Sequence, residues 1–183
     1  LSFANGTLTV TAYALVATAH NATKLYGAAV PALTGALVGI HNGDAITATF
    51  TTAATAASDA GLYSITPVLA DPNNLLTNYT VTLVNGTLTN LPAPLVITAE
   101  NKTRLYGAAN PAFTASYAGF VNGDDESDLD TAVTLATAAN ATSPVGPHPI
   151  TASGAADLNY TITHTDGTLT VSAAPLLVTA NNA

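Results

Sequence analysis

The densest run of reactive side chains in this 183-residue chain is Asn122-Gly123-Asp124-Asp125-Glu126-Ser127-Asp128-Leu129-Asp130. It carries five of the eleven acidic residues. Hard cations gather several carboxylate and carbonyl oxygens, so Asp124, Glu126, Asp128 and Asp130 are candidate ligands for Ca²⁺. The spacing departs from the Asp-x-Asp-x-Asp-Gly calcium loop, and the related stretch near residue 44 keeps only Asp44. A solvated acidic loop is the simpler account, and no other cofactor is called for. The histidines are His20, His41, His148 and His164. No two fall at a metal-ligand spacing such as i, i+4 on a helix or i, i+2 on a strand. No Gly-x-Ser-x-Gly turn presents a nucleophile. These residues give no catalytic constellation, and we expect no enzyme.

Three further groups of side chains could do chemistry. Tyr26-Gly27 and Tyr106-Gly107 invite stacking on sugars, but a tyrosine fixed beside a glycine reads first as a buried anchor next to a tight turn. Lys24, Lys102 and Arg104 are the only cations. A lysine can be cross-linked to an asparagine through a buried carboxylate, and Glu100 near Lys102 is the one local hint of this. Asn5, Asn21, Asn78, Asn85, Asn101, Asn140 and Asn159 each precede x-Thr and are candidate glycosylation acceptors, with Asn85 among the more accessible.

The composition narrows the class. Charged residues make up 8%, the formal net charge is −8 and the pI is near 4.4. Three cations cannot neutralise a phosphate backbone, so nucleic acid is excluded as a partner. Without cysteine there is neither a disulfide scaffold nor a thiolate metal site. Hydrophobic residues form 48% and mean hydropathy is +0.35, which argues against a disordered chain. No apolar window is long enough to span a membrane without Thr, Asn or Pro. A surface of Thr, Asn and Ser suits a secreted or surface-exposed chain.

The elements that position these groups are duplicated. Thr23-Lys24-Leu25-Tyr26-Gly27 returns 80 residues on as Thr103-Arg104-Leu105-Tyr106-Gly107. Asn42-Gly43-Asp44 returns as Asn122-Gly123-Asp124, and Asn78-Tyr79-Thr80 as Asn159-Tyr160-Thr161. Asn5-Gly6-Thr7-Leu8-Thr9 has counterparts at 85–89 and 166–170. Such a period marks a tandem repeat. It divides the chain into the end of a preceding repeat (1–12), two repeats (13–91 and 92–173) and the first strand of a following one (174–183).

Strand signals dominate. Alternation predicts strands at Thr7–Thr11, Leu95–Thr98, Phe113–Tyr117, Tyr79–Leu83 and Leu176–Thr179. Asn85-Gly86 and Asp166-Gly167 predict two-residue type I′ turns, closing hairpins over Tyr79–Leu88 and Tyr160–Val171. The only helical signal is a single turn near Gly39–Asp44. The expected fold is all-β: two small antiparallel β domains of about 80 residues each, Ig-like sandwich or β-grasp-like. Proline-stiffened joints at Leu91–Pro94 and Ala173–Pro175 should hold them in an extended rod.

The ordered set Lys/Arg-x-Tyr-Gly, Pro-Ala-Leu/Phe-Thr, Val-Asn-Gly-Asp, Asn-Tyr-Thr and Asn-Gly-Thr-Leu-Thr resembles the MBG domain of the YGX type, twice over. His41 stands where the second copy has Val121, and Asp166 stands for the usual Asn. The resemblance implies an extracellular, multi-copy, adhesin-associated domain without catalytic residues. The expected role is a stalk or spacer in a bacterial adhesin-like protein, with a self-assembling filament or sheath subunit and a carbohydrate- or mucin-binding module as alternatives. Its expected partners are adjacent repeats, other copies of itself and surface glycans.

Overall fold

The computed structural model describes residues 4–179. The chain divides into two compact units that meet at Leu91 and Pro92. In the first, the strands are β1 Tyr13–Ala19, β2 Ala22–Leu25, β3 Gly35–Val38, β4 Thr47–Thr51, β5 Gly61–Ala70, β6 Tyr79–Val84 and β7 Gly86–Leu91, with one 3-10 turn at Leu76–Asn78. In the second they are β8 Ala93–Ala99, β9 Lys102–Leu105, β10 Ala115–Ala118, β11 Thr134–Ala136, β12 Gly146–Ser153, β13 Tyr160–Thr165 and β14 Gly167–Ser172. The protein is all-β.

Each unit is a sandwich of a three-stranded and a four-stranded sheet. The orders are β3-β1-β6 and β2-β7-β5-β4 in the first unit, and β10-β8-β13 and β11-β12-β14-β9 in the second. Ala19 of one sheet packs with Ile65 and Leu88 of the other, closing the core between them. In the second unit Ala99, Ile150 and Leu169 do the same. Small side chains keep this core thin. A few large ones carry it: Leu15, Ile65, Leu88, Leu95, Ile97, Ile150 and Leu169 are wholly buried. Each is worth about 1.5–3 kcal/mol of burial. The strand β7 shows the selecting pattern, with Gly86, Leu88 and Asn90 inward and Thr87 and Thr89 half-exposed between them.

The sheets are mixed, not purely antiparallel. β1 pairs parallel with β6 and β2 parallel with β7; β8–β13 and β9–β14 repeat this. The predicted hairpins are therefore absent. β6 and β7 lie in different sheets, and the chain crosses from one to the other at Asn85. Asp166 is the crossing point in the second unit. Neither Asn85-Gly86 nor Asp166-Gly167 is a type I′ turn, because none of the four residues has positive φ. Glycine is required for another reason. A Cβ on Gly86 would stand 2.6 Å from the carbonyl oxygen of His20 and 2.8 Å from that of Ala19. One on Gly167 would stand 2.4 Å from the Ala99 oxygen. The first strand pair crosses sheets at the same level, between β1 and β2, and only glycine admits the approach.

Other local expectations also change. Residues 4–12 and 173–179 form no strand, so neither Thr7–Thr11 nor Leu176–Thr179 is one. Leu8 and Val10 of the first segment are exposed, without a sheet to bury them. Phe113 precedes β10 rather than opening it. In β6 only Tyr79 is buried; Val81 and Leu83, on the same face, remain exposed because β6 is the edge strand of its sheet. Around Gly39–Asp44 there is a tight turn and no helix.

Candidate functional site

The repeated motifs converge at one end of each unit. Asn42 and Gly43 both take positive φ, at 55° and 71°, as do Asn122 and Gly123, at 58° and 90°. Asparagine and glycine tolerate that left-handed backbone. The turn delivers the next residue, Asp44 or Asp124, to the buried tyrosine that opens β6 or β13. Tyr79 Oη donates to Asp44 Oδ2 at 2.7 Å and accepts from the His41 N–H at 3.0 Å. Tyr160 Oη donates to Asp124 Oδ2 at 2.7 Å and accepts from the Val121 N–H at 3.1 Å. Hydrogen bonding to the Asp44 carboxylate pushes the Tyr79 phenol above its ordinary range. This tyrosine–aspartate lock was visible only as two motifs with a common offset; pairing them needs the fold.

In the first unit the lock borders a cavity of about 470 Å³ lined by Tyr13, His41, Asn42, Asp44, Asn78 and Tyr79. The rings of Tyr13 and His41 lie with centroids 3.7 Å apart. Ala93 and Val121 hold the corresponding places in the second unit, so this feature is not shared.

The Tyr-Gly motif sits at the other end. Leu25-Tyr26-Gly27-Ala28 closes a tight turn through the Ala28 N–H to Leu25 O at 3.0 Å, with Gly27 at φ 78°. Gly107 at φ 83° repeats it. Tyr26 is buried, as an anchor should be, but Tyr106 is 48% exposed. The anchor reading therefore fails for the second copy. Beside the turns stand buried cations. Lys24 Nζ donates to Leu25 O and Ala56 O at 3.3 and 3.4 Å. Arg104 donates from Nε to Asn110 Oδ1 at 2.8 Å, from Nη1 to Leu105 O at 3.1 Å, and from Nη2 to Asn140 O. Each cation pins a long loop onto its sheet. Burial lowers the Lys24 amine below its ordinary range.

The calcium candidates disperse. Asp124 is held by Tyr160, and Asp130 Oδ2 accepts the Leu158 N–H at 3.2 Å. Asp128 Oδ2 accepts the Asp125 N–H at 2.8 Å. Asp125 caps Ser127, whose hydroxyl and N–H hold that carboxyl below its usual range. Glu126 lies against Tyr117, whose phenol is raised by burial first and by Glu126 second. Among the described residues no three His, Cys, Asp or Glu are placed to hold a metal ion.

Glu100 pairs with Lys102 at 3.0 Å near the surface. The Thr114 hydroxyl, then Lys102, hold its carboxyl low. The histidines stand apart: His20 reaches Thr34 and His148 reaches the Pro144 carbonyl, the latter much as Tyr63 reaches that of Asp59. Of the sequons, Asn5, Asn21, Asn78, Asn85, Asn101 and Asn140 are exposed and Asn159 is half-buried. Asn21 and Asn101 use their side-chain oxygens to accept the Thr87 and Thr168 N–H groups at 2.8 and 2.7 Å, beside the crossover glycines.

Two sandwiches of identical strand order, each locked by the same motifs, define a tandem repeat protein. The chain belongs to the MBG domain (YGX type) family, whose sequence pattern matches residues 15–89 and again 95–170. A comparison with curated proteins finds no significant match. No helix among the described residues is long and apolar enough to cross a membrane.

Proposed function

We propose that the chain is a non-catalytic structural segment, a spacer, of a secreted or cell-surface bacterial adhesin-like protein. The observation that carries this reading is the parallel pairing of the first and last strands of each unit. With β1–β2 parallel to β6–β7, the chain enters at one pole and leaves at the other. Entry and exit at opposite poles suit a unit to a spacer role, where a hairpin-closed domain would return the chain to its start. The repeated side chains support the same reading, since the tyrosine–aspartate lock and the buried cations are spent on loops and turns. Electron microscopy or X-ray scattering on chains of two, four and six units tests it. A maximum dimension that grows in proportion to unit number is expected; compact particles whose length saturates would refute it.

A second reading, assembly into filaments, is favoured by one feature. β6 is an edge strand of its sheet, and its Val81, Leu83 and Val84 are all exposed. Exposed edges can template pairing with another copy. Sedimentation of the chain over a concentration series tests this, with growth beyond monomer lost on Val81→Lys.

A further inference from the structure

Among the described residues, three polar or charged side chains are buried: Lys24 and Arg104, each 7% exposed, and Asn90, 2% exposed. Two of these three are direct cross-strand partners. Lys24 on β2 and Asn90 on β7 face each other in the parallel register, on strands about 4.8 Å apart. Both point to the interior side, under the loop that runs through Ala56, Ser58 and Asp59.

Their polar atoms are poorly served. The contacts of Lys24 Nζ, at 3.3 and 3.4 Å, are long for a charged donor. Asn90 donates from Nδ2 to Ser58 O at 2.6 Å and Asp59 O at 2.8 Å. These bonds fix the amide, and its Oδ1 is left buried without a partner. A buried charge and a buried unsatisfied carbonyl are each costly. Their adjacency suggests a reaction that removes the buried charge of the amine and joins the two strands.

We propose that Lys24 and Asn90 condense into an intramolecular amide that ties β2 to β7. The neutral Lys24 amine adds through its Nζ lone pair to Asn90 Cγ. The Cγ–Nδ2 bond then breaks, and Nδ2 departs as ammonia with a proton taken from Nζ. One C–N bond replaces another, so no oxidant or reductant is needed. Burial favours the uncharged amine that the addition requires. The second unit is an internal control: Arg104 faces Val171 in the same register and cannot react. This inference is independent of the spacer reading.

The test is the intact mass of the folded chain, denatured just before measurement, followed by tryptic mapping. A mass lower by one ammonia is expected, with cleavage after Lys24 lost and one peptide linking the Lys24 and Asn90 segments. Lys24→Arg and Asn90→Ala should each restore the full mass. The unmodified mass with normal cleavage after Lys24 overturns the proposal, without recourse to either variant. So does a loss of ammonia that maps to an Asn-Gly succinimide and leaves Lys24 cleavable.

Discussion

Replacing Gly86 by alanine isolates the crossover from every other use of an Asn-Gly pair. The added methyl meets main chain: 2.6 Å to the His20 oxygen, 2.8 Å to the Ala19 oxygen and 2.9 Å to the His20 carbonyl carbon. An ordinary contact begins near 3.4 Å. The backbones of β1 and β7 must therefore part by most of an ångström, exactly where Asn21 bridges to the Thr87 N–H. Overpacking of this kind costs roughly 1–3 kcal/mol, and an unyielding main-chain neighbour puts Gly86→Ala near the upper end, at about 2–3 kcal/mol. For a domain of this size that lowers the melting temperature of the first unit by roughly 10–20 °C. Asn85 is exposed and has no positive φ, so Asn85→Ala should stay within about 0.5 kcal/mol of the parent. A type I′ turn predicts a different ranking, because its first central residue would also resist alanine. Calorimetry of both variants decides. A Gly86→Ala chain melting within about 2 °C of the parent, or an Asn85→Ala chain melting lower than it, would refute the crossover argument.

Further outcomes follow from the same geometry. Tyr160→Phe removes a charge-assisted hydrogen bond and should destabilise the second unit by about 2 kcal/mol in a denaturant titration, leaving the first unaltered. Hydrogen bonds from the Leu75 and Leu76 N–H groups hold the Asp71 carboxyl below its ordinary value of 3.8. Its contribution is therefore present above that pH and lost as pH falls through the folded value, so Asp71→Asn should flatten the acid limb of the first unit's stability profile. The Tyr79 phenol is raised above 10.0, so its contribution is present below that pH and lost on further alkalinisation. Tyr79→Phe should remove that alkaline loss. Added Ca²⁺ should leave the second unit's melting temperature unchanged, since Asp124, Glu126, Asp128 and Asp130 are turned to separate partners; a saturable rise lost on Asp124→Ala would restore the calcium site.

The repeat, the all-β class and the inward pattern of β7 were legible because they are local: alternation places Leu88 and Leu169 inward whatever the topology. The hairpins misled because Asn-Gly carries two meanings. Positive φ is a property of the dipeptide itself, whereas the close approach of Gly86 to His20 depends on a crossing segment 66 residues away. Parallel pairing of first and last strands has no short-range signal. The lock between Asp44 and Tyr79 lay half in view, since both halves recur in each copy. Their contact follows only from sheet order. The failure at Tyr106 has the opposite lesson, for the same dipeptide can bury its ring in one copy and expose it in the next. Lys24 stood out in sequence only as one of three cations, and the cross-link hint fell on Lys102, because the adjacency of Lys24 and Asn90 is a matter of register.

Parallel end strands also determine how each unit answers a pull. Tension applied at the two poles acts along β1–β2 in one direction and along β6–β7 in the other, so the ladders between them are sheared and must give way together. A hairpin-closed unit would open one hydrogen bond at a time. Stretching between its termini therefore meets each sandwich along its most resistant axis, while an edge strand such as β4 can be peeled away more easily.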